Sequence, residues 1–532
     1  MQRTRFDWFP VLIGGIFLLA VTLPYLLAYQ RVGENFQFAG FLLNPIDGYS
    51  YLAKMHQGWQ GEWLFTLPFT VEAGDGGYLF LFYLGLGHLA RIFTLSNQLV
   101  FHLARITSAA LMVASLWYFF GRVFGDEWTR RLAYSLALFG SGLGWLASSA
   151  GILSADLWVA EGFPFLSAYA NPHFPLGIAL MLWFLALGRT NTSQSLQDTN
   201  QGLRFLTFAA GLLLAVLLPF GVVITAIVLV GCVSWESANT FHPGTTGVRI
   251  LNRLQSNLMG SDSGQKLIFL VLGSAPVLIY QVWVTSHDPY LTAWNAQNIT
   301  LSPPLCELSI AYAPFLLLAI PGIYFALINN QGKWRVLLLW SGTALLLLYI
   351  PWNLQRRFIT GLLIPLAGLS AVTLELIFTK QKLVGILVLL LLVVLMIPTN
   401  LIIILGGIQA VEKKHESVVL PIDEVNALEW IDKNTNQESV ILASPDMGLL
   451  IPAYTGRKVW YGHPFETPDS ERVQSQVLEF FSGTLSGNAQ DLILGSDFLF
   501  YGNRERALGS PNLEEGFDLL FQEDETEIYR IK

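Results

Sequence analysis

Long apolar runs separated by short polar stretches fill the chain up to about residue 410, and the pattern then changes. A membrane-spanning helix needs about 20 mostly apolar residues. Runs of this kind fall at 9–28, 99–120, 131–150, 174–188, 204–218, 220–235, 267–284, 309–328, 335–350, 358–378 and 383–407. The stretch 204–235 is too long for one helix and contains Pro219-Phe220, so the pattern predicts two short spans meeting there. The run 78–93 is also apolar, but Gly77, Gly85, Gly87 and His88 interrupt it and Arg91 ends it.

After residue 410 shorter periods alternate. Residues 424–434 and 471–481 read as helices, 439–444, 458–461 and 497–501 as strands, Pro445-Asp446 as a turn, and 517–531 as a closing hairpin. The expected architecture is an α-helical polytopic membrane domain over 1–410, with about eleven spans, followed by a small extracytoplasmic α/β domain over 411–532.

Charge supports this division. From Val411 onward there are 22 acidic and 10 basic residues, a net of −12; the preceding residues hold 16 acidic and 20 basic, a net of +4. Only 13% of the whole chain is charged, against about 25% in an ordinary soluble domain. Nothing here resembles a basic nucleic-acid-binding surface. Two cysteines, Cys232 in an apolar run and Cys306 in a loop, are too few for a disulfide framework or a cysteine metal site.

Orientation follows from the positive-inside rule. Arg3 and Arg5 place the N-terminus in the cytoplasm, ahead of a run too long for a signal peptide and without a cleavage pattern. Arg122, Arg130 and Arg131 also belong inside, so two spans must precede them, and 78–93 is read as a helix dipping into or lying on the outer face. Arg189 to Arg204, Arg249, Arg253, Lys266, Lys333, Arg335, Lys380 and Lys382 then all fall inside, and the tail falls outside. The polar stretch from Thr190 to Gln201 is a cytoplasmic loop. The outer loops are 29–98, 151–173, 285–308 and 351–357, plus the short corner at Pro219. One of them breaks the rule, because it carries Gln355-Arg356-Arg357.

The outer loops hold the candidate chemistry. The first contains Asn44-Pro45-Ile46-Asp47-Gly48-Tyr49-Ser50-Tyr51-Leu52-Ala53-Lys54-Met55, which reads as an amphipathic interfacial helix with Tyr51, Leu52, Met55 and Trp59 on one face. Asp47 at its start is either a helix cap or a general base at the membrane–water boundary. The second loop brings Asp156, Glu161, Asn171 and His173. The third brings Asp288, Trp294, Gln297 and Asn298, and rings with amides suit a sugar. Arg356 and Arg357 either snorkel to lipid headgroups or grip a phosphate. In the tail, His463 and Glu466 sit in a turn-rich segment; they either face the membrane site or are structural, and the structural reading is favoured. No ligand spacing is diagnostic of a metal, so whether a divalent cation takes part stays open.

An N-terminal span, a long outer loop with an early Asp, a second acidic outer loop, a late outer arginine and an outer C-terminal domain together resemble the GT-C superfamily. These membrane glycosyltransferases use polyprenyl-phosphate-linked sugars; the protein mannosyltransferases and the aminoarabinose transferase belong to them. Where that family often shows Asp-Glu or Asp-Asp, this chain has Asp47-Gly48. The resemblance implies an inverting transferase in a bacterial plasma membrane, acting on a polyprenyl-phosphate sugar and an acceptor. It implies Asp47 as base, with Asp156, Glu161 and His173 as further catalytic candidates. Tyr49, Lys54, Asn171, Asp288, Trp294, Gln297, Asn298, Gln355, Arg356 and Arg357 would then bind substrate. Two other classes remain: a transporter or flippase for a lipid-linked glycan, which the nearly charge-free spans disfavour (Arg105 and Glu375 are exceptions), and a membrane scaffold whose tail binds a partner.

Overall fold

Every apolar run identified in the sequence contains a helix, and the run 131–150 is divided between two. In a computed structural model of the chain, residues 7–188, 201–238, 247–328, 334–483, 487–511, 513 and 516–532 are described. Arg3, Arg5, Arg189, Lys333, the side chain of Arg249 and all but the end of the Thr190–Gln201 stretch lie outside them. Among the described residues seven helices are long and apolar enough to cross a membrane: Phe9–Arg31, Asn97–Val123, Pro219–Ala238, Asp262–His287, Leu305–Ile328, Gln355–Lys380 and Lys382–Glu412. Shorter apolar helices occupy Leu81–Phe93, His173–Leu185, Gln201–Leu217 and Arg335–Leu347. The predicted break before Pro219 is present: one helix ends at Leu217 and the next starts at Pro219, because proline lacks the N–H that would continue the ladder. Cys306 lies in the first turn of a helix rather than in a loop.

The chain forms two compact units. The first comprises Met1–Pro24, Ala104–Ile279 and Thr300–Gly406, and the second Tyr25–Leu103, Tyr280–Ile299 and Gly407–Lys532.

In the first unit the expected span 131–150 is not one helix. Helix Glu127–Phe139 stops, four residues intervene, and a short helix runs from Gly144 to Ser149. The interruption falls at Gly140-Ser141-Gly142-Leu143-Gly144, where glycine weakens the helix. Helix Leu363–Lys380 packs along Glu127–Phe139. Arg105, an exceptional charge inside a span, is buried and donates to the carbonyls of Val21 and Ala168, both at 2.9 Å. Among the basic residues assigned to the inside, Arg122 donates to Leu187 O (3.2 Å) and Lys266 to Ala186 O (2.7 Å). Both satisfy carbonyls just past the end of His173–Leu185, as cations at a helix C-terminus do.

In the second unit, strand β1 (Phe36–Phe38) pairs antiparallel with β2 (Val419–Pro421). The tail holds a five-stranded mixed sheet built from β3 (Val440–Leu442), β4 (Lys458–Val459), β5 (Phe498–Tyr501), β6 (Phe517–Glu523) and β7 (Thr526–Ile531). Its order is β4-β3-β5-β7-β6, parallel among the first three and antiparallel from β5 onward. The two predicted tail helices appear as Ile422–Asn434 and Ser470–Phe481. The predicted turn at Pro445-Asp446 instead opens helix Pro445–Thr455. Ser444 caps it by accepting from Met447 N, proline occupies the first turn, and Gly456 ends it in the left-handed region at φ 69°.

The helix of the first loop, Pro45–Gln60, was expected to lie on the membrane surface. Within the protein it is largely buried: Gly48, Tyr49, Ser50, Leu52, Ala53, Lys54, Met55, His56 and Gly58 are covered, while Ile46, Asp47 and Trp59 are exposed. Helix Leu81–Phe93 packs on one side and Pro445–Thr455 on another. A Cβ at Gly58 would strike the Leu84 carbonyl, and one at Gly87 the Met55 carbonyl. These two glycines therefore let the backbones of Pro45–Gln60 and Leu81–Phe93 touch.

Candidate functional site

The polar candidates of the first unit are held by the loops flanking the broken helix. Asp156 is fully buried and saturated with donors. Its carboxylate accepts from Gly142 N (3.0 Å), Gly144 N (2.9 Å) and Ser141 Oγ (3.3 Å), and forms a short bond with Ser154 Oγ. Burial pushes this carboxyl up, opposed by the Ser154 hydroxyl and the backbone N–H groups of Gly144 and Gly142. Asp156 thus fixes the interruption between the two helices. Asp156→Ala leaves those buried donors without a partner, each orphan costing about 1–3 kcal/mol. Thermal melts should show a destabilised protein, with Asp156→Asn milder.

Glu161 is also buried, but its partners are the two anomalous arginines. Arg357 Nη1 donates to Glu161 Oε1 at 3.1 Å, and Arg356 Nε stands 3.8 Å from the same oxygen. The Arg356 guanidinium lies over the Trp158 ring at 4.7 Å. Backbone bonds fix the frame: Gly361 N donates to Glu161 O (2.9 Å), and Arg356 N to Thr300 O (3.1 Å). Two guanidiniums beside one carboxylate carry a formal charge of about +1, the composition of an anion site. Trp158 carried no sequence signal beyond its place two residues after Asp156. Asn171 Oδ1 accepts from Phe174 N (3.4 Å), and His173 is half-buried in the first turn of the same helix.

In the second unit, Asp47, Ser50 and Lys54 are spaced by three and four residues, so they share a face of helix Pro45–Gln60. Lys54 is fully buried and paired with Glu466 at 2.8 and 2.9 Å, and Ser50 Oγ donates to Glu466 at 2.6 Å. The Lys54 ammonium also stands 4.5 Å from the centre of the Phe80 ring. Burial alone would raise the Glu466 carboxyl; Lys54, His463 and the Ser50 bond outweigh it and hold the group below its ordinary range.

His463 is buried three residues earlier. Its Nδ1 accepts from Phe465 N (3.1 Å) and Glu466 N (3.2 Å), which leaves the proton on Nε2. That Nε2 has no hydrogen-bond partner among the described residues. Burial lowers its basicity, against the opposing fields of Glu466 and Asp47, so the ring is a neutral donor. Asp47 is exposed, is not the helix cap, and forms no hydrogen bond or ion pair with a described residue.

The remaining candidates in this unit have local duties. Tyr49 is buried and donates to Ser417 O (3.0 Å), and burial drives its hydroxyl far above the ordinary range. Asp288 caps helix Pro289–Gln297 by accepting from Leu291 N (2.8 Å), and Asn298 ends that helix. Gln297 clasps the tail: its amide donates to Thr467 O (2.6 Å) and Phe465 O (3.2 Å) and accepts from Asp469 N (3.1 Å). Trp294 packs against Phe80. Among the described residues no group of three or more His, Cys, Asp or Glu side chains gathers as a metal site.

No protein-family model and no curated protein matches the sequence. Solved structures do match. The Archaeoglobus fulgidus oligosaccharyltransferase in its apo form aligns over 99% of this chain and 75% of its own, at 14% identity and a TM-score of 0.57. ArnT from Cupriavidus metallidurans, apo, aligns over 97% of both chains at 12% identity and a TM-score of 0.51. The chain has the GT-C fold. At these identities the GT-C likeness is one of fold, and the site residues rest on their own geometry.

Proposed function

We propose that this GT-C-fold protein is an inverting glycosyltransferase. It moves a sugar from a polyprenyl-phosphate donor to an acceptor hydroxyl at the non-cytoplasmic face of a bacterial plasma membrane. Residues 1–410 are the membrane domain, with a cytoplasmic N-terminus, and 411–532 the extracytoplasmic domain. The observation that carries this reading is Asp47. It is an exposed carboxylate with no hydrogen bond or ion pair to a described residue, at the start of a helix that is largely buried and tied to the tail. Further support comes from the archaeal GT-C relative AglB, whose structure holds an inhibitory peptide and a dolichol-phosphate (14% identity, TM-score 0.53).

Asp47 takes the proton of the acceptor hydroxyl as its oxygen attacks the anomeric carbon. The bond from that carbon to the phosphate oxygen breaks, and its electron pair leaves with the phosphate. The leaving group is already an anion and needs charge stabilisation more than protonation. Arg356 and Arg357 supply it, with Glu161 keeping the pair oriented. The Nε2–H of His463 is a positioning donor for a substrate hydroxyl.

The test is transfer from a panel of radiolabelled polyprenyl-phosphate sugars by the full-length protein in nanodiscs, with mass spectrometry of co-purified lipid. Arg356→Ala and Arg357→Ala should each raise the donor KM by about 10- to 100-fold, the value of a charge-assisted bond. Full activity in Asp47→Asn together with an unchanged donor KM in the arginine variants would sink the proposal.

A further inference from the structure

Glu375 is an ionisable residue inside an apolar helix, and the proposed reaction gives it no task. Such residues are functional candidates by default. It lines a cavity of about 460 Å³ in the first unit, together with Phe124, Asp126, Phe325, Trp334 and Lys380. That volume is in the range of small-molecule sites, about 300–1,000 Å³.

The cavity lies at the end of the helix pair away from Glu161 and its arginines. Helix Leu363–Lys380 begins just after the arginine segment Gln355–Ile359 and ends at the cavity. From its first residue, Leu363, to Glu375 the helix rises about 18 Å. Trp128 packs on Phe378 at 5.5 Å between ring centres, so the start of Glu127–Phe139 closes the same end.

The walls have a specific chemistry. Trp334 stands 5.8 Å from Phe325 and 6.5 Å from Phe124, a three-ring aromatic wall. The Glu375 carboxylate and the Lys380 ammonium have no hydrogen bond or ion pair with a described residue, although both line the cavity. One Asp126 oxygen is committed to Thr129 N and Oγ1, both at 2.8 Å. Aromatic faces with a carboxylate receive an alkylammonium. A lysine about 7.5 Å farther along the helix axis receives a phosphate. Beside the cavity, helix Leu305–Ile328 turns out an exposed apolar stripe of Leu317, Ile320, Tyr324 and Leu327, on which acyl chains can lie.

We infer that this cavity binds the headgroup of a zwitterionic phospholipid, its ammonium against Glu375 and the aromatic wall and its phosphate against Lys380. This is a second lipid site, at the opposite end of the helix pair from the arginines and independent of any transfer activity.

The experiment is native mass spectrometry of the full-length protein, delipidated in detergent and titrated with an equal mixture of phosphatidylethanolamine and phosphatidylglycerol, with free phosphoethanolamine in a parallel arm. The expected result is one tightly retained phosphatidylethanolamine per chain, at least about tenfold over phosphatidylglycerol, lowered about tenfold by Glu375→Gln. Lys380→Ala, at an exposed position, is a second variant that leaves the packing intact and should weaken retention several-fold. Equal retention of the two lipids, or retention unchanged in both variants, overturns the inference. Displacement by free phosphoethanolamine at equal concentration overturns the lipid as occupant.

Discussion

Asp47→Asn is expected to lower sugar transfer by about 10²- to 10⁴-fold, the usual contribution of a general base, with an unchanged melting temperature. The reason is local. The carboxylate is exposed and bonds to no described residue, so its amide isostere removes proton acceptance and nothing else. Donor binding should survive, so kcat falls and the donor KM does not. His463→Asn gives a contrasting result. The asparagine carbonyl can replace Nδ1 as acceptor for the two backbone N–H groups, but the Nε2–H is lost. A raised KM for one substrate with a nearly native melt would mark that substrate as its partner. A stability loss without a KM change would make the histidine structural.

Breaking the Lys54–Glu466 pair should have the largest effect on stability. Lys54→Met strands a mostly buried carboxylate and Glu466→Leu strands a fully buried ammonium, and loss of one partner of such a pair costs up to about 3–5 kcal/mol. The double variant should recover much of this, because an apolar pair has no charge to desolvate. Glu466 titrates below its ordinary range in the folded protein, so the pair's stabilisation is complete above the range of an unfolded glutamate and fades as pH falls through the lowered value. Thermal melts of the native protein should therefore steepen below about pH 4, more than those of the double variant. Equal pH profiles would contradict this.

The spans were legible because apolar length is a direct consequence of the bilayer's thickness, and Pro219 marked a break with a mechanical cause. The run 131–150 misled because its glycines interrupt hydrogen bonding without interrupting hydropathy, and Asp156, 12 to 14 residues further on, holds the gap. The amphipathic pattern of helix Pro45–Gln60 was visible in sequence, but the elements that bury most of it lie elsewhere in the chain. Pro445-Asp446 read as a turn because proline marks both turns and first helical turns, and Ser444 ahead of it was the overlooked cue. The arginines were conspicuous by breaking a charge rule, but Glu161 as their shared partner was not. Glu466 as the partner of Lys54, 412 residues away, has no local signature at all.

That last separation matters during synthesis. Strand β1 waits for β2, 381 residues after Phe38, and Lys54 waits longer for its carboxylate. At about 5–20 residues per second, the first loop would leave the translocation machinery on the order of 20–80 s before its counterparts exist. A chain truncated before the tail would therefore carry a helix with a bare lysine in its packing face, a ready mark for quality-control proteases.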